Sequence, residues 1–329
     1  MASSSSTPSA PTSLTDLTIA DQIGKGASAI VKLATSSAGV PYALKVIAKK
    51  NIVGQAQLTR LYREKDLLAS LSHPSIVTFH ATLKDDEHLY FLLELLPGGD
   101  LWWHMCRDKR RRVMGEDARI VLSSLLPPLR YMQDQSILFR DLKPTNILFT
   151  ATGKLKLVDF GHAKRIEGHS LDEERSTSVC GTPHYNAPET VKGEGHGLPA
   201  QLWAFGVLLT EMHCGKAPFW ELPSSPIKEQ ILAADPDLTP MRHDEAATSL
   251  ASALLTADPV ARSANFGSKG YAGVMEHEYF KTVDWAALEA GNGPTPGFDF
   301  ALHASDVLGE KDEPKADEVD GLSKVFADF

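Results

Sequence analysis

Short apolar runs separated by glycine-containing turns dominate residues 15–50, and this pattern predicts several β-strands. Leucines then recur at helical spacing between residues 54 and 71, which indicates an amphipathic helix. Two further strand-like runs follow, at residues 76–83 and 88–93. We therefore predict a small β-rich lobe that contains one main helix.

Residues 96–100, Leu-Pro-Gly-Gly-Asp, interrupt this pattern and predict a hinge. Beyond it, apolar residues at helical spacing predict helices at residues 116–134, 200–214, 244–255 and 274–280. Strand-like pieces within residues 137–149 and 154–160, and a polar loop at 165–180, lie between the first two helices. We therefore expect an α+β fold with a second, larger and mainly helical lobe.

The two ends of the chain differ in composition from its middle. Residues 1–14 are mostly Ser, Thr, Pro and Ala, which predicts a disordered tail. From about residue 291 the chain is turn-rich and then acidic, so we expect that part to be extended or disordered. It nevertheless finishes with Phe326 and Phe329, two aromatic side chains that would be costly to expose together.

Composition and charge argue against several classes of protein. The 329-residue chain is 43% hydrophobic and carries a formal net charge of −9, which disfavours general nucleic-acid binding. Its three cysteines are far apart and lack metal-binding spacing, so we expect reduced thiols and a cytoplasmic or nuclear location. No apolar run approaches the length of a membrane span, and we expect no secretory signal at the N-terminus.

The most informative segment is residues 137–149, in which four polar residues lie between two apolar pieces. A polar turn between two strands would explain them. They would equally form a catalytic loop, in which Asp141 accepts a proton, Lys143 neutralises developing charge and Asn146 offers an oxygen to a metal. Asp159, in an Asp-Phe-Gly sequence at the end of a strand, would supply a second oxygen to Mg²⁺.

Three residues of the first lobe have competing interpretations. Gly24 and Gly26 would let backbone N–H groups approach a phosphate, although such a pair often forms only a hairpin. Lys45 lies in an otherwise apolar strand, where it would need a partner or would extend its charged end to solvent. Glu64 on the amphipathic helix could be that partner, or it could belong to a solvated face.

The fragments occur in an order that these separate interpretations do not explain. The chain combines a Gly-x-Gly loop, Lys45, Glu64, Arg-Asp-x-Lys-Pro-x-Asn at 140–146, Asp-Phe-Gly at 159–161 and Ala-Pro-Glu at 187–189. Over roughly residues 17–281 this set resembles the signature of eukaryotic protein kinases. Three details resemble the AGC group, most closely the cyclic-AMP-dependent kinases: Phe-Arg-Asp at 139–141, Cys-Gly-Thr-Pro at 180–183 and the terminal Phe-Ala-Asp-Phe.

The resemblance implies a bilobal protein kinase fold and a division of the chain. The expected segments are a disordered tail at 1–14, a kinase domain at 15–281 and an AGC-type C-terminal tail with a hydrophobic motif at 282–329. Within the kinase domain we expect an N-lobe at 15–93, a hinge at 94–97 and a C-lobe at 98–281. The implied cofactors are ATP and Mg²⁺.

The resemblance also implies roles at matching positions. The expected ATP-binding residues are Ile23, Gly24, Lys25, Gly26, Ala27, Ser28, Ala29, Ile30, Val31, Ala43, Lys45, Glu94, Leu96 and Leu148. Asp141 is the expected base, with Lys143, Thr182 and the Lys45–Glu64 pair in the catalytic set. Asn146 and Asp159 are the expected Mg²⁺ ligands.

Further positions concern regulation and substrate binding. Ser178 is the expected activation-loop phosphosite, with Arg140, Lys164 and Arg60 as the cations around its phosphate. Asp100 and Glu211 match acidic positions that bind arginines upstream of the target residue. Glu189 is expected to pair with Arg262, and Phe326 and Phe329 to dock beside the Glu64 helix. Phe-Asp-Phe at 298–300 resembles a tail motif that crosses near the adenine pocket.

Two departures from the family pattern affect the expected activity. Ala29 replaces the third loop glycine. Gln201 replaces an Asp that braces the catalytic loop, so the sequence leaves open whether the backbone of this loop is braced. Thr145 and His184 also replace acids that would bind substrate arginines. We expect a serine/threonine kinase that acts on protein substrates with an upstream-arginine preference, weaker than in the kinases that it resembles. Its expected partners include an upstream activating kinase and a cyclic-nucleotide-binding regulatory subunit. The alternatives are a nucleotide-binding pseudokinase scaffold and a small-molecule kinase.

Overall fold

The computed structural model describes residues 10–26, 29–166, 182–195, 197–219, 226–301 and 303–304. These residues form two compact units. The first comprises the described residues up to 71, residues 77–97 and the described residues from 301 onward; the second comprises residues 72–76 and the described part of 98–300. Within the described chain, no helix has both the length and the apolar character that crossing a membrane requires.

The first unit is an antiparallel five-stranded sheet with one helix, and its strands follow the order β1-β2-β3-β5-β4. The strands are β1 (Leu17–Lys25), β2 (Ile30–Ser36), β3 (Pro41–Ala48), β4 (Phe79–Lys84) and β5 (His88–Glu94), and the helix is α1 (Gln55–Ser70). Leu61 of α1 packs with Ile47, Leu89 and Phe91 of the sheet. This apolar contact fixes the helix against β3 and β5, because burial of such side chains is the main driving force for packing.

The second unit is mainly helical. Its helices are α2 (Leu101–Arg107), α3 (Gly115–Asp134), α4 (Pro188–Lys192), α5 (Leu198–Cys214), α6 (Ile227–Ala233), α7 (Glu245–Leu254), α8 (Pro259–Ala264), α9 (Tyr271–Met275) and α10 (Trp285–Glu289). Two short antiparallel pairs join β6 (Ile137–Leu138) to β9 (Lys164–Arg165) and β7 (Ile147–Phe149) to β8 (Leu155–Leu157). Residues 198–213 of α5 are all buried, as expected of a helix that is apolar on every side.

The α+β prediction is confirmed, but two predicted elements were wrong in their bounds. The strand expected at 76–83 begins only at Phe79, because Ile76 instead bridges to Leu157 in the second unit. The helix expected at 274–280 is two elements. Helix α9 ends at Met275, and His277 then caps a separate 3₁₀ turn by accepting the N–H of Tyr279.

Candidate active site

Asp141 lies at the centre of a hydrogen-bonded cluster in the second unit. The residue is 3% exposed, and three side chains donate to its carboxylate. Lys143 Nζ lies 2.7 Å from Oδ2, Asn146 Nδ2 lies 2.9 Å from the same oxygen, and Thr182 Oγ1 lies 3.3 Å from Oδ1. One cation and two neutral donors thus fix the orientation of the carboxylate, which a positioned general base requires.

The backbone before Asp141 is held by Gln201 on α5. Gln201 Oε1 accepts the N–H of Phe139 at 2.6 Å and that of Arg140 at 3.2 Å. Arg140 has φ 66°, an uncommon left-handed conformation that needs such support. An amide oxygen has two lone pairs, so the neutral side chain accepts both bonds without a carboxylate charge. Gln201 therefore braces the loop. The sequence had left open whether a neutral Gln could do so in place of Asp.

Asn146 and Asp159 are brought together by the β7–β8 pair. Val158, next to Asp159, donates its N–H to the backbone oxygen of Asn146 at 3.0 Å. Asn146 Nδ2 donates to both the backbone oxygen and Oδ2 of Asp141, so its remaining side-chain atom for a cation is the Oδ1 oxygen. Asp159 is exposed and has φ 60°. An amide oxygen and an exposed carboxylate fit the oxygen preference of Mg²⁺.

Lys45 and Glu64 form an ion pair in the first unit. Lys45 Nζ on β3 lies 2.6 Å from Glu64 Oε1 on α1, and the side chains are 17% and 7% exposed. Glu64 lies on the same helical stripe as Leu61, Leu67 and Leu68, all of which are buried. The stripe therefore turns this carboxylate inward, where it needs a cation. The pair fixes Lys45 while part of its side chain still reaches solvent.

The glycine loop joins β1 to β2. Gly24 pairs with Val31, and Gly26 donates its N–H to the backbone oxygen of Ala29 at 2.8 Å. A Cβ added at Gly24 or Gly26 would meet its nearest neighbour at an ordinary 3.5 Å. The described fold itself thus does not demand glycine at either position, which leaves close approach of a ligand as a reason for it. The predicted residues Ala27 and Ser28 lie outside the described residues.

A family model for the protein kinase domain matches residues 17–280. The chain belongs to the protein kinase family. The predicted fold class and the resemblance to AGC kinases are therefore confirmed. The five-stranded sheet with its helix and the helical second unit are the two parts of the bilobal kinase fold.

Similar proteins place this kinase domain near cyclic-nucleotide-dependent kinases. It is 32% identical to a cAMP-dependent protein kinase catalytic subunit of Dictyostelium discoideum, over 88% of this chain and 45% of that protein. It is 34% identical to a cGMP-dependent protein kinase of Toxoplasma gondii, over 85% of this chain and 28% of that protein. A human cAMP-dependent protein kinase catalytic subunit is 33% identical, over 78% of this chain and 73% of that protein. The chain thus spans less than half the length of the first two relatives.

The residues predicted to line the adenine side occupy strand positions in this kinase domain. Ala43 on β3 pairs with Leu93 on β5, and Leu96 is buried after the end of β5. Glu94 is tied to Thr78, whose N–H and Oγ1 donate to its carboxylate at 3.1 and 2.9 Å. Ile23 and Lys25 lie on β1, and Ile30 lies on β2. In the second unit, Leu148 on β7 is half-buried between two buried neighbours.

The predicted phosphate pocket is only partly described. Arg140 Nε donates to the backbone oxygen of His162 at 2.7 Å, and Arg140 is 6% exposed. Lys164 on β9 pairs with Leu138, two residues before Arg140, so these two cations are near neighbours in the chain fold. Arg60 is exposed on α1 of the first unit. Ser178 lies outside the described residues, so its role stays a prediction.

The two acids predicted to bind substrate arginines also have structural contacts. Asp100 caps α2 by accepting the N–H of Trp103 at 2.7 Å. Glu211 is buried on α5 and accepts a hydrogen bond from the hydroxyl of Tyr185. Burial raises the pKa of Glu211, and the hydrogen bond from Tyr185 acts in the opposite direction. Burial and the neighbouring Glu211 also raise the pKa of Tyr185 well above its ordinary value.

The predicted pair of Glu189 and Arg262 is formed and completely enclosed. The guanidinium donates to both carboxylate oxygens, at 2.7 and 3.1 Å, and the side chains are 3% and 0% exposed. The pair joins α4 to α8. It lies next to Trp203 of α5, whose ring is 5.0 Å from the guanidinium carbon.

The Phe-Asp-Phe motif packs onto the second unit. Phe298 stacks on His104 of α2 with ring centres 4.5 Å apart, and Phe300 lies 5.3 Å from Phe149 of β7. Gly153 has no side chain where Phe300 passes, and an added Cβ would lie 2.4 Å from that ring. The turn-rich stretch up to residue 300 is therefore held in place. The predicted aromatic anchors Phe326 and Phe329 lie outside the described residues.

Sequence reasoning missed two residues that complete the site. Tyr185 carries the partner hydroxyl of Glu211, and His104 anchors the tail motif while its ring nitrogen lies 2.7 Å from the backbone oxygen of Gly98. Tyr185 lies between the Cys-Gly-Thr-Pro motif at 180–183 and the Ala-Pro-Glu motif at 187–189, and this position was a usable signal. His104 gave no such signal, because its partners in the tail motif, Phe298 and Phe300, lie about two hundred positions further along the chain.

Proposed function

We propose that this kinase domain transfers the γ-phosphoryl group of Mg·ATP to serine or threonine hydroxyls of proteins. The observation that carries the proposal is the convergence of Lys143, Asn146 and Thr182 on the buried carboxylate of Asp141. In this arrangement Asp141 orients the substrate hydroxyl and accepts its proton, and Lys143 stabilises the negative charge that develops beside it.

The remaining site residues have complementary tasks in this proposal. Lys45, fixed by Glu64, holds phosphate oxygens of the nucleotide, and the glycine loop offers backbone N–H groups to them. Asn146 and Asp159 hold the metal. When bound, Mg²⁺ neutralises phosphate charge. Most of the rate acceleration then comes from positioning and charge stabilisation.

Serine/threonine specificity and the upstream-arginine preference are finer parts of the proposal. The contact of Thr182 with Asp141 supports the first, since it links the substrate-side segment to the base. Asp100 and Glu211 support the second, but each already has a structural partner, so we propose a modest arginine preference. The names of the relatives, a cAMP-dependent catalytic subunit and a cGMP-dependent kinase, extend the proposal to a cyclic-nucleotide-binding regulatory partner. The family resemblance extends it to an upstream kinase that phosphorylates Ser178.

The test is phosphate incorporation from Mg·ATP into an Arg-Arg-x-Ser peptide by the parent protein and by Asp141→Asn. We expect a loss of about a thousandfold in the variant. Asp86→Asn, on an exposed turn of the first unit, is the matched control and should retain full activity. Peptides with Tyr for Ser, or with Ala for the two arginines, test the finer parts.

A nucleotide-binding pseudokinase scaffold is the competing function. It would show thermal stabilisation by Mg·ATP in both the parent and Asp141→Asn, with no incorporation by either, also after phosphorylation of Ser178 and with a broad peptide library. The intact Lys45–Glu64 pair and the bracing bonds of Gln201 weigh against it. That result would nevertheless refute the proposal.

A further inference from the structure

The segment from the last residue of α2 into the loop before α3 concentrates positive charge in a chain whose net charge is −9. We name residues 107–112 the basic loop. Its five cations are Arg107, Lys109, Arg110, Arg111 and Arg112. The first four of them are exposed, and Arg112 is half-buried. The loop lies outside the candidate active site described above, so the proposed phosphoryl transfer does not account for its charge.

The charges of the basic loop are not neutralised within the described part of the chain. None of its cations forms an ion pair with a described carboxylate. Asp108, the one acid of the loop, accepts the backbone N–H groups of Arg110 and Arg112, each at 3.1 Å. Its carboxylate shapes the loop backbone, and the guanidinium groups stay directed elsewhere.

The backbone of the loop is anchored against the end of α5. Val113 donates its N–H to the backbone oxygen of Met212 at 2.8 Å, and Arg112 Nε lies 3.4 Å from the backbone oxygen of Cys214. Gly215 lets the chain approach closely, since an added Cβ would lie only 1.9 Å from the backbone oxygen of Arg110. The loop thus has a fixed backbone course, which lowers the entropy cost of binding a ligand.

Two tryptophans organise the side chains. The guanidinium carbon of Arg107 lies 4.7 Å from the ring centre of Trp103, and that of Arg111 lies 5.5 Å from the ring centre of Trp102. A guanidinium over an aromatic face keeps its N–H edge available for carboxylates. The fork of N–H donors on arginine matches the two oxygens of a carboxylate better than a lysine ammonium does.

We propose that the basic loop is a docking surface for a carboxylate-rich segment of a protein partner. Six residues span at most about 20 Å, which suits an extended acidic peptide of similar length. A membrane surface would favour apolar side chains for insertion. Of the exposed large hydrophobic residues in the described chain, only Met114 adjoins the loop, and it is 38% exposed. The net negative charge of the chain disfavours binding of nucleic acid.

The experiment measures the binding of a fluorescein-labelled peptide with six consecutive glutamates by anisotropy. The test variant combines Lys109→Gln, Arg110→Gln and Arg111→Asn. Asn is chosen at 111 because that residue has φ 55°, a conformation that Asn tolerates. The matched control combines Lys50→Gln, Lys192→Gln and Lys228→Gln, which removes the same charge from exposed positions elsewhere.

We expect the Kd for the peptide to be at least tenfold higher in the basic-loop variant and to change by less than twofold in the control. Phosphorylation of a short peptide should stay within twofold of the parent in both, so a failed kinase assay and a failed docking test are distinguishable. Equal weakening in the two variants, or no binding by the parent, would overturn the proposal. The proposal would also be overturned if the parent bound phosphatidylserine vesicles but not the peptide, and the basic-loop variant no longer bound the vesicles. The occupant would then be a lipid surface.

Discussion

Two ion pairs, one in each unit, use the same chemistry in different surroundings. Lys45 and Glu64 lie 2.6 Å apart in the first unit, and Arg262 and Glu189 form a two-point contact in the second. Both carboxylates are buried. The cations differ, since the Lys45 side chain is 17% exposed and that of Arg262 is 0% exposed.

A count of donors sharpens the difference. Arginine has five N–H donors, and Arg262 uses all of them within the protein. Besides Glu189, it donates to the backbone oxygens of Pro199, Thr256 and Ala257. It therefore has no capacity left for a ligand, and its role is structural. Lys45 is positioned by its partner yet remains accessible, as expected of a group that binds substrate.

The largest effect should follow removal of the enclosed pair. Arg262→Met leaves Glu189 buried without a cation and three carbonyl groups without donors. We expect the free energy of unfolding to fall by about 3–5 kcal/mol. Urea denaturation followed by tryptophan fluorescence measures it in the second unit, because all five tryptophans lie between residues 102 and 285.

Arg242→Met is the matched control for this prediction. Arg242 is exposed in the same unit and forms no ion pair with a described residue. Its substitution should change the free energy of unfolding by less than about 0.5 kcal/mol. A loss below about 1 kcal/mol in Arg262→Met would show that the enclosed pair contributes no more than a surface pair.

Substitution of Lys45 should have the opposite pattern, with a loss of activity and no loss of stability in the second unit. Lys45→Met should reduce phosphoryl transfer about a hundredfold, which corresponds to about 2.7 kcal/mol of transition-state stabilisation. Denaturation of the second unit should be unchanged, because Lys45 and its partner both lie in the first. Lys32→Met on the neighbouring strand β2 is the control and should remain active. Full activity of Lys45→Met would contradict the proposal that the accessible Lys45 binds the nucleotide.

The sequence predicted both ion pairs, but it did not predict other contacts that shape the site and the fold. Glu64 lies on a leucine stripe and Lys45 in an apolar strand, so the sequence suggested that they pair but left a solvated Glu64 and a solvent-directed Lys45 as alternatives. The family motif favoured the pair. The bonds of Gln201 to Phe139 and Arg140 span about sixty positions, and no local pattern encodes them. The same holds for Ile76, whose bridge to Leu157 shortened a predicted strand.

A matched substitution tests both pairs with one chemical change. Glu189→Gln leaves the charge of Arg262 uncompensated at a site that water does not reach, and we expect a loss of about 2 kcal/mol in stability. Glu64→Gln keeps a hydrogen-bond acceptor beside the partly exposed Lys45. It should cost less than about 1 kcal/mol in stability, but about tenfold in activity. Equal losses of stability in the two variants would contradict the proposed division of roles.

The smallest expected effect is a change in stability with pH that depends on His73. Its charged neighbour, Lys156, carries the same sign of charge as a protonated histidine. Burial, with a contribution from Lys156, lowers the pKa of His73 from 6.5 to about 4. His73 Nδ1 accepts the N–H of Ser75 at 3.0 Å, and protonation would remove this acceptor. The folded state therefore binds the proton less readily than the unfolded state, so the stabilisation is complete above pH 6.5 and is lost as the pH falls towards 4.

His73→Asn keeps an acceptor for Ser75 but does not titrate. Between pH 7 and pH 4.5, the parent should lose more stability than this variant, by less than about 1 kcal/mol because the ring is partly exposed. His243→Asn, at an exposed position of the same unit, should follow the parent. Tryptophan-monitored denaturation at a series of pH values measures all three proteins. Parallel curves for the parent and His73→Asn would show that neither burial nor Lys156 opposes protonation of His73.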